Sequence, residues 1–301
     1  MPIPVILDTD LGLDVDDVWA LAFLLRCPEL DLRLVVSDTG DTTYRAALAA
    51  KVLAAAGRTD VPIGVGIPLD DADHTHATWL DGYDLDDYPG EVLTDGVGAL
   101  CETIMASAEP VTVIAIGPVP NLAAALAREP RIVENSRFVG MHGSIRLGYA
   151  DIPKPMREFN VKMHALACRQ VFASPWERTI TPLDTCGNVY LDGQRFERVA
   201  ASTDPLMQAV MGNHEGWREA TRDWPMLQDL DLERRSSILF DTVAVWLAFA
   251  EDLVEIETLP LTVTPDGKTL IDEANGQPTR CATRWRDKEA FLDLLVERLV
   301  G

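Results

Sequence analysis

Apolar and polar positions along this chain come in blocks rather than alternating residue by residue. Short uninterrupted apolar runs predict buried strands over residues 4–7, 32–36, 61–65, 111–116, 137–141 and 178–183. Between them apolar residues recur at helical spacing, which predicts helices over 18–25, 43–56, 93–106, 120–127 and 162–172. A strand that is apolar at every position has both faces covered, and such strands separated by helices build a parallel sheet between two helical layers. The expected fold is therefore α/β: a single domain over residues 1–301, with a mostly parallel central sheet, helices on both faces and a Rossmann-like core. Ligands in such sheets sit beyond the carboxyl ends of the strands. The unusual polar clusters here all follow predicted strands: Asp8 onward, Ser37 to Asp41, Gly117-Pro118 and His142-Gly143.

Two segments break the pattern. Residues 70–90 form a long acidic stretch with His74, His76, Trp79, Tyr83 and Tyr88, and residues 202–237 are partly helical with Trp217 and Trp224. Segments of this length in a compact domain act as lids and binding loops or are variable surface insertions. Their histidines are expected to be solvated, and Trp79, Trp217 and Trp224 are candidates to stack on a ring. Composition then removes whole classes of function. A formal net charge of −22 leaves no basic surplus to neutralise phosphates, which argues against nucleic acid or an anionic membrane as partner. No run approaches the ~20 apolar residues of a membrane span. The five cysteines are scattered, odd in number and without a CxxC pair, so they are expected to be reduced and the chain cytoplasmic.

The chemistry concentrates in the stretch LDTDLGLDVDD, where Asp8, Asp10, Asp14, Asp16 and Asp17 follow the first strand. One or two acids there would read as helix caps. Five repel one another and call for a hard cation as counter-charge. An EF-hand loop counted from Asp8 would need Glu at its twelfth position, where Trp19 stands. A phosphotransferase DxDxT loop fits Asp8-Thr9-Asp10 but meets Gly12 where Thr or Val belongs.

The stretch resembles the opening DxDxGxDDxxAL of the inosine–uridine-preferring nucleoside hydrolases. Asp8 to Gly12 matches its first half and Asp16 to Leu21 its second, with Asp14 and Val15 as two extra residues and Leu11 where proline is usual. Further patches follow in order: Gly40-Asp41 resembles a Gly-Asn at the sugar pocket, Val113 to Ala123 a strand, turn and helix, Glu158-Phe159-Asn160 an EFN segment, and Phe240-Asp241 a His-Asp pair. The resemblance implies an N-ribosyl hydrolase that binds Ca²⁺ through Asp10, Asp17, Asp241 and the carbonyl of Ile116. It implies Asp10 as the base that takes a proton from water, and Asp16, Asp41, Glu158 and Asn160 as sugar contacts. Asp8 braces the loop, and a homodimer or homotetramer is what the family implies. All-oxygen donors suit calcium, and anionic groups around a ribose favour an oxocarbenium-like state.

The base side departs from the pattern. Phe240 replaces a histidine that helps protonate the leaving base, and His164 stands where many members carry Asp. His142, directly after the strand ending at Met141, is placed at the pocket rim as a further substrate contact. These changes point to a ribonucleoside, a modified nucleoside or another N-riboside as substrate, or to a ribose-binding homologue that cleaves nothing.

Overall fold

The computed structural model of the chain describes residues 1–69 and 73–301. The first strand, β1 (Ile3–Thr9), is buried from Pro4 onward and pairs in parallel with β2 (Leu30–Ser37) on one side. Its side chains divide between two cores. Val5 and Leu7 join the layer that holds α1 (Asp16–Leu25), whereas Ile6 faces the opposite layer, as the two-residue period of a strand requires. Helix α2 (Thr42–Ala55) packs its alanine-rich face on the first layer and leads to the short strand β3 (Ile63–Gly64). The described residues of the acidic excursion carry a short helix, α3 (Ala77–Leu80), and a 3-10 turn (Leu85–Asp87) before β4 (Val92–Leu93) and α4 (Gly96–Ala106). Residues 70–72 of that excursion lie outside the described residues.

The chain then returns to the middle of the sheet. β5 (Val111–Ala115) pairs with the free side of β1, followed outward by β6 (Ser136–Met141) and β7 (Arg178–Thr181). The connecting helices are α5 (Pro120–Arg128), α6 (Phe159–Met163) and α7 (Ala165–Ala173). The single helix expected over 162–172 is thus two, broken at His164, whose side chain caps the second. Among the described residues the sheet has ten strands in the order β4-β3-β2-β1-β5-β6-β7-β10-β8-β9. The strand order reverses between β1 and β5, so the loops after these two strands flank the crevice where open α/β sheets bind ligands.

The last third adds α8 (Leu183–Cys186), α9 (Gly193–Ala200), α10 (Pro205–Ala220) and α11 (Phe240–Leu247). An antiparallel extension of the sheet, β8 (Val254–Val263), β9 (Thr269–Ile271) and β10 (Gln277–Trp285), precedes the closing helix α12 (Lys288–Val300). Among the described residues no helix is long and apolar enough to cross a membrane.

Neither excursion is a free flap. Trp217 on α10 is fully buried and its indole N–H donates to the carbonyl of Leu13 at 3.0 Å. Thr75 donates to the same carbonyl at 2.7 Å, and His76 Nε2 lies 3.0 Å from the carbonyl of Asp14. Asn213 on α10 closes the set at 2.7 Å from His76 Nδ1. Both segments therefore grip the opening loop at Leu13 and Asp14, where the two-residue insertion begins. His76 and His214 are buried, contrary to the expectation of solvated histidines, and His74 alone of the three is exposed. Trp79, Trp217 and Trp224 all pack on the larger core.

Candidate active site

Asp8, the penultimate residue of β1, is fully buried and accepts from Asn121 Nδ2 at 2.8 Å. The same amide nitrogen donates to the carbonyl of Ser37, while Asn121 Oδ1 accepts from the Ile67 amide. One side chain thus ties the ends of β1 and β2 to the loop after β3. Burial pushes the Asp8 carboxyl up to about 6, against the pull of its hydrogen bonds. Beside it Asp38 is also fully buried and raised well above the usual carboxylate range, by burial first and by the Asp8 charge second. Asp38 Oδ2 accepts from the Val119 amide.

Two residues on, the chain crosses over the sheet. The loop after β5 comes so close that a Cβ on Gly117 would stand 3.0 Å from the Asp10 amide, which explains glycine there. Asp10 is buried, and burial raises its carboxyl while the guanidinium of Arg45 pulls it down. Arg45, on the buried face of α2, donates to the main-chain carbonyl of Asp10 and lies 3.4 Å from its Oδ2.

Asp16 and Asp17 occupy the first turn of α1, and Asp241 the first turn of α11. Acids are favoured there by the exposed amides and the helix dipole. The packing of α1 on α11 brings the three together, with one carboxylate oxygen from each within 4.8 Å of the others. All three are buried and raised well above the usual range, by burial first and then by neighbouring acids, Asp10 among them. Thr9 donates to Asp17 Oδ1 and orients it. A set of converging, buried, all-oxygen donors with too little positive charge fits a hard divalent cation. The structure thus adds Asp16, expected as a sugar contact, to the oxygens around that point. Asp14 shares the pocket and is raised by burial to about 6.

On the far side of the crevice Glu158 caps α6, accepting from the amides of Asn160 and Val161, and also from Gly143 at 3.0 Å. Burial holds its carboxyl up at about 7. Asn160 donates through Nδ2 to the carbonyl of Ile116 at 2.9 Å and to that of Met141 at 3.1 Å. Two of the expected site elements, the Ile116 carbonyl and the EFN segment, are therefore in direct contact. Asp41 caps α2 by accepting from the amides of Thr43 and Tyr44. Its other oxygen lies 3.7 Å from Nε2 of His74, whose ring stacks on Tyr44 at 4.0 Å.

His142 is a correction. It is fully buried beneath the sheet end rather than at the rim, packed against Phe138 and Phe172 with Nε2 3.0 Å from the Gly117 carbonyl. Phe240, in the place of the expected histidine, meets Tyr149 edge to face at 6.0 Å. The Tyr149 hydroxyl accepts from the Phe159 amide, beside Glu158.

The sequence profile of the inosine-uridine preferring nucleoside hydrolases matches residues 5–293. The chain belongs to that family. Its mostly parallel sheet has the same architecture as the solved nucleoside hydrolases. It is 34% identical over 201 residues to a protein named non-specific ribonucleoside hydrolase RihC from Klebsiella pneumoniae, a match covering 64% of each chain. It is 28% identical over 321 aligned positions to the pyrimidine-specific ribonucleoside hydrolase RihA of Escherichia coli, covering 99% of each. Among solved structures, a plant nucleoside hydrolase, PpNRh1, superposes with a TM-score of 0.81 at 23% identity over the full length of both chains. A purine-preferring ribonucleoside hydrolase from Gardnerella vaginalis gives 0.76 at 18% identity, covering 99% of this chain and 98% of its own.

Three residues of this nucleoside hydrolase site were not singled out as site residues from sequence. Arg45 sits in an alanine-rich helix where an arginine reads as an exposed charge, Asp38 was one member of a polar turn, and Asn121 read as the start of a helix. The available signal was local for Asp38 and Asn121, which lie two and five positions beyond predicted strand ends, whereas Arg45 lies nine beyond Val36 and carried no such signal.

Proposed function

We propose that this nucleoside hydrolase cleaves the N-glycosidic bond of a ribonucleoside or a related N-riboside at a calcium site on the carboxyl ends of β1 and β5. The convergence of carboxylate oxygens from Asp16, Asp17 and Asp241 carries the reading, because three buried acids so close together need a cation to be stable as anions. Asp17 and Asp241 would hold the ion, with Asp10 and the Ile116 carbonyl completing an oxygen shell and Asp16 between ion and sugar. When bound, such an ion orients a water and lowers its pKa.

The remaining work falls to the protein. Asp10 takes the proton as the water adds to C1′ and the bond to the base breaks with its electron pair. The surrounding carboxylates favour the positive charge that develops on the ribose. Glu158, Asn160 and Asp41 line the sugar side, while Phe240 and Tyr149 present a largely apolar wall to the aglycone. Asp8 acts through the loop rather than on the substrate. The relatives named for non-specific and pyrimidine-specific hydrolysis make ribonucleosides the first substrates to try. Five buried free cysteines fit a reducing compartment, which supports our reading of a cytoplasmic enzyme, and a homodimer or homotetramer is the assembly we expect of it.

The test is a panel of nucleosides and N-ribosides assayed for free reducing sugar, with and without a calcium chelator, for wild type and Asp10→Ala. Wild type is expected to release ribose only with calcium present, and Asp10→Ala to lose release while remaining folded. Ribose release by Asp10→Ala at the wild-type rate would refute the assignment of the base.

A further inference from the structure

Arg45 is 3% exposed, and a buried guanidinium is costly unless it is paired. Its partner is a single residue, engaged twice: the main-chain carbonyl of Asp10 accepts from Nη1, and Asp10 Oδ2 lies 3.4 Å from the same nitrogen. Among the described residues no other Lys or Arg nitrogen lies within 4.0 Å of the carboxylates of Asp8, Asp10, Asp14, Asp16, Asp17, Asp38, Glu158 or Asp241. The guanidinium is itself held in place. A Cβ on Gly12 would stand 3.3 Å from Arg45 Cγ and 3.2 Å from the Tyr44 ring, and Gly12 has a φ of 132°. The opening loop therefore folds directly over the arginine stem.

We infer that Arg45 is a positioning residue that commits one oxygen of Asp10 to the protein and so leaves Oδ1 alone to face water and cation. The inference rests on the proposed calcium-dependent hydrolysis. A carboxylate free to rotate could offer both oxygens to a calcium ion and none to a water. Arg45 opposes that, because Nη1 is anchored on the Asp10 main-chain carbonyl and draws Oδ2 of the same residue toward its charge. It also places a positive charge beside a site that binds a positive ion. The two effects have opposite consequences: Arg45 orients Asp10 for proton abstraction and weakens calcium binding.

That opposition supplies the test. Calcium affinity is measured by titration calorimetry on chelator-stripped protein, alongside kcat and KM for ribose release. Arg45→Gln is expected to bind calcium about tenfold more tightly, since a like charge is gone from a low-dielectric site. It is also expected to lose about 100-fold in kcat, the scale of an ångström's misplacement of a reacting group, with KM near wild type. Arg45→Lys keeps the charge but reaches one bond less far than Nη1, so its calcium affinity stays near wild type while kcat still falls. A purely structural role would lower affinity, kcat and melting temperature together in both variants, and that result overturns the inference. So does an unchanged kcat in Arg45→Lys, which decides the matter if Arg45→Gln fails to fold. A wild type that neither binds calcium nor releases sugar overturns the proposed function and this assignment with it. A wild type that does both, with Arg45→Gln indistinguishable from it, overturns this assignment alone.

Discussion

Asn121 offers a direct measure of how the acidic crevice is held together. Its side chain is fully buried and makes three hydrogen bonds to three chain segments: 2.8 Å to Asp8 Oδ2, 3.0 Å to the Ser37 carbonyl and 2.8 Å from the Ile67 amide. Asn121→Ala removes all three and leaves Asp8 and Ser37 buried and Ile67 half-buried. A bond to a carboxylate contributes roughly 2 kcal/mol and the two neutral bonds roughly 1 kcal/mol each, so the loss is about 4 kcal/mol. At about 2 °C per kcal/mol for a domain of this size, the melting temperature falls by about 8 °C. The assay is thermal unfolding at pH 7 in the presence of chelator, so that metal binding does not mask the effect. Asn135→Ala is the comparison: it loses bonds to the carbonyls of Ile104 and Ser107 at a half-buried site and no bond to a charge. Its cost, at roughly 1 kcal/mol for each of the two neutral bonds, is about 2 kcal/mol. A drop below about 2 °C for Asn121→Ala, or one no larger than that of Asn135→Ala, would refute the claim that Asn121 carries the brace on Asp8.

Two further outcomes follow from the same geometry. A Cβ on Gly66 would stand 2.0 Å from the Ser37 carbonyl and 2.5 Å from both polar atoms of the Asn121 amide. Gly66→Ala should therefore destabilise by breaking the same bonds, and the double variant with Asn121→Ala should cost clearly less than the two single losses added, whereas strict additivity would show that the two sites are independent. His142 is held neutral by burial, with its imidazole lowered from 6.5 to about 4. The unfolded chain gains a proton below pH 6.5 and the folded protein does not, so this residue's contribution is constant above that pH and falls by about 3 kcal/mol as pH drops to 4. The melting-temperature gap between wild type and His142→Asn should narrow across that window, and a gap that stays constant from pH 7 to 4 would count against a buried neutral imidazole.

The central strands and the helices between them were legible because their signal is local. β1, β2, β5 and β6 are apolar runs whose neighbours in space scarcely alter the reading, and α1, α2, α4 and α5 carry helical spacing of their own. The antiparallel extension β8 to β10 was not legible: those strands mix exposed and buried positions, and their pairing joins residues far apart in sequence. The break at His164 was hidden for a different reason, since a polar residue inside an apolar-spaced run reads as an exposed helix position until its side chain is seen to cap the next turn. In the site, the acids were visible as acids because their number was anomalous. His142, His76 and His214 were misplaced because an isolated histidine carries no sequence signal of burial.

By itself, then, the sequence determined a layered α/β domain, a crowded set of carboxylates after the first strand, and the ordered motifs of a nucleoside hydrolase. These depend on the apolar block pattern and on residue identity, both of which are properties of short stretches of chain. Only the tertiary structure decided how the five opening acids differ. Asp16 and Asp17 meet Asp241 because α1 packs on α11, Asp10 meets Arg45 because α2 turns its buried face under the loop, and Asp8 meets Asn121 because β5 returns to the side of β1. A carboxylate's chemistry is set by the charges and donors within a few ångströms of it. For these aspartates those neighbours come from up to 225 positions away, and no reading of LDTDLGLDVDD alone could supply them.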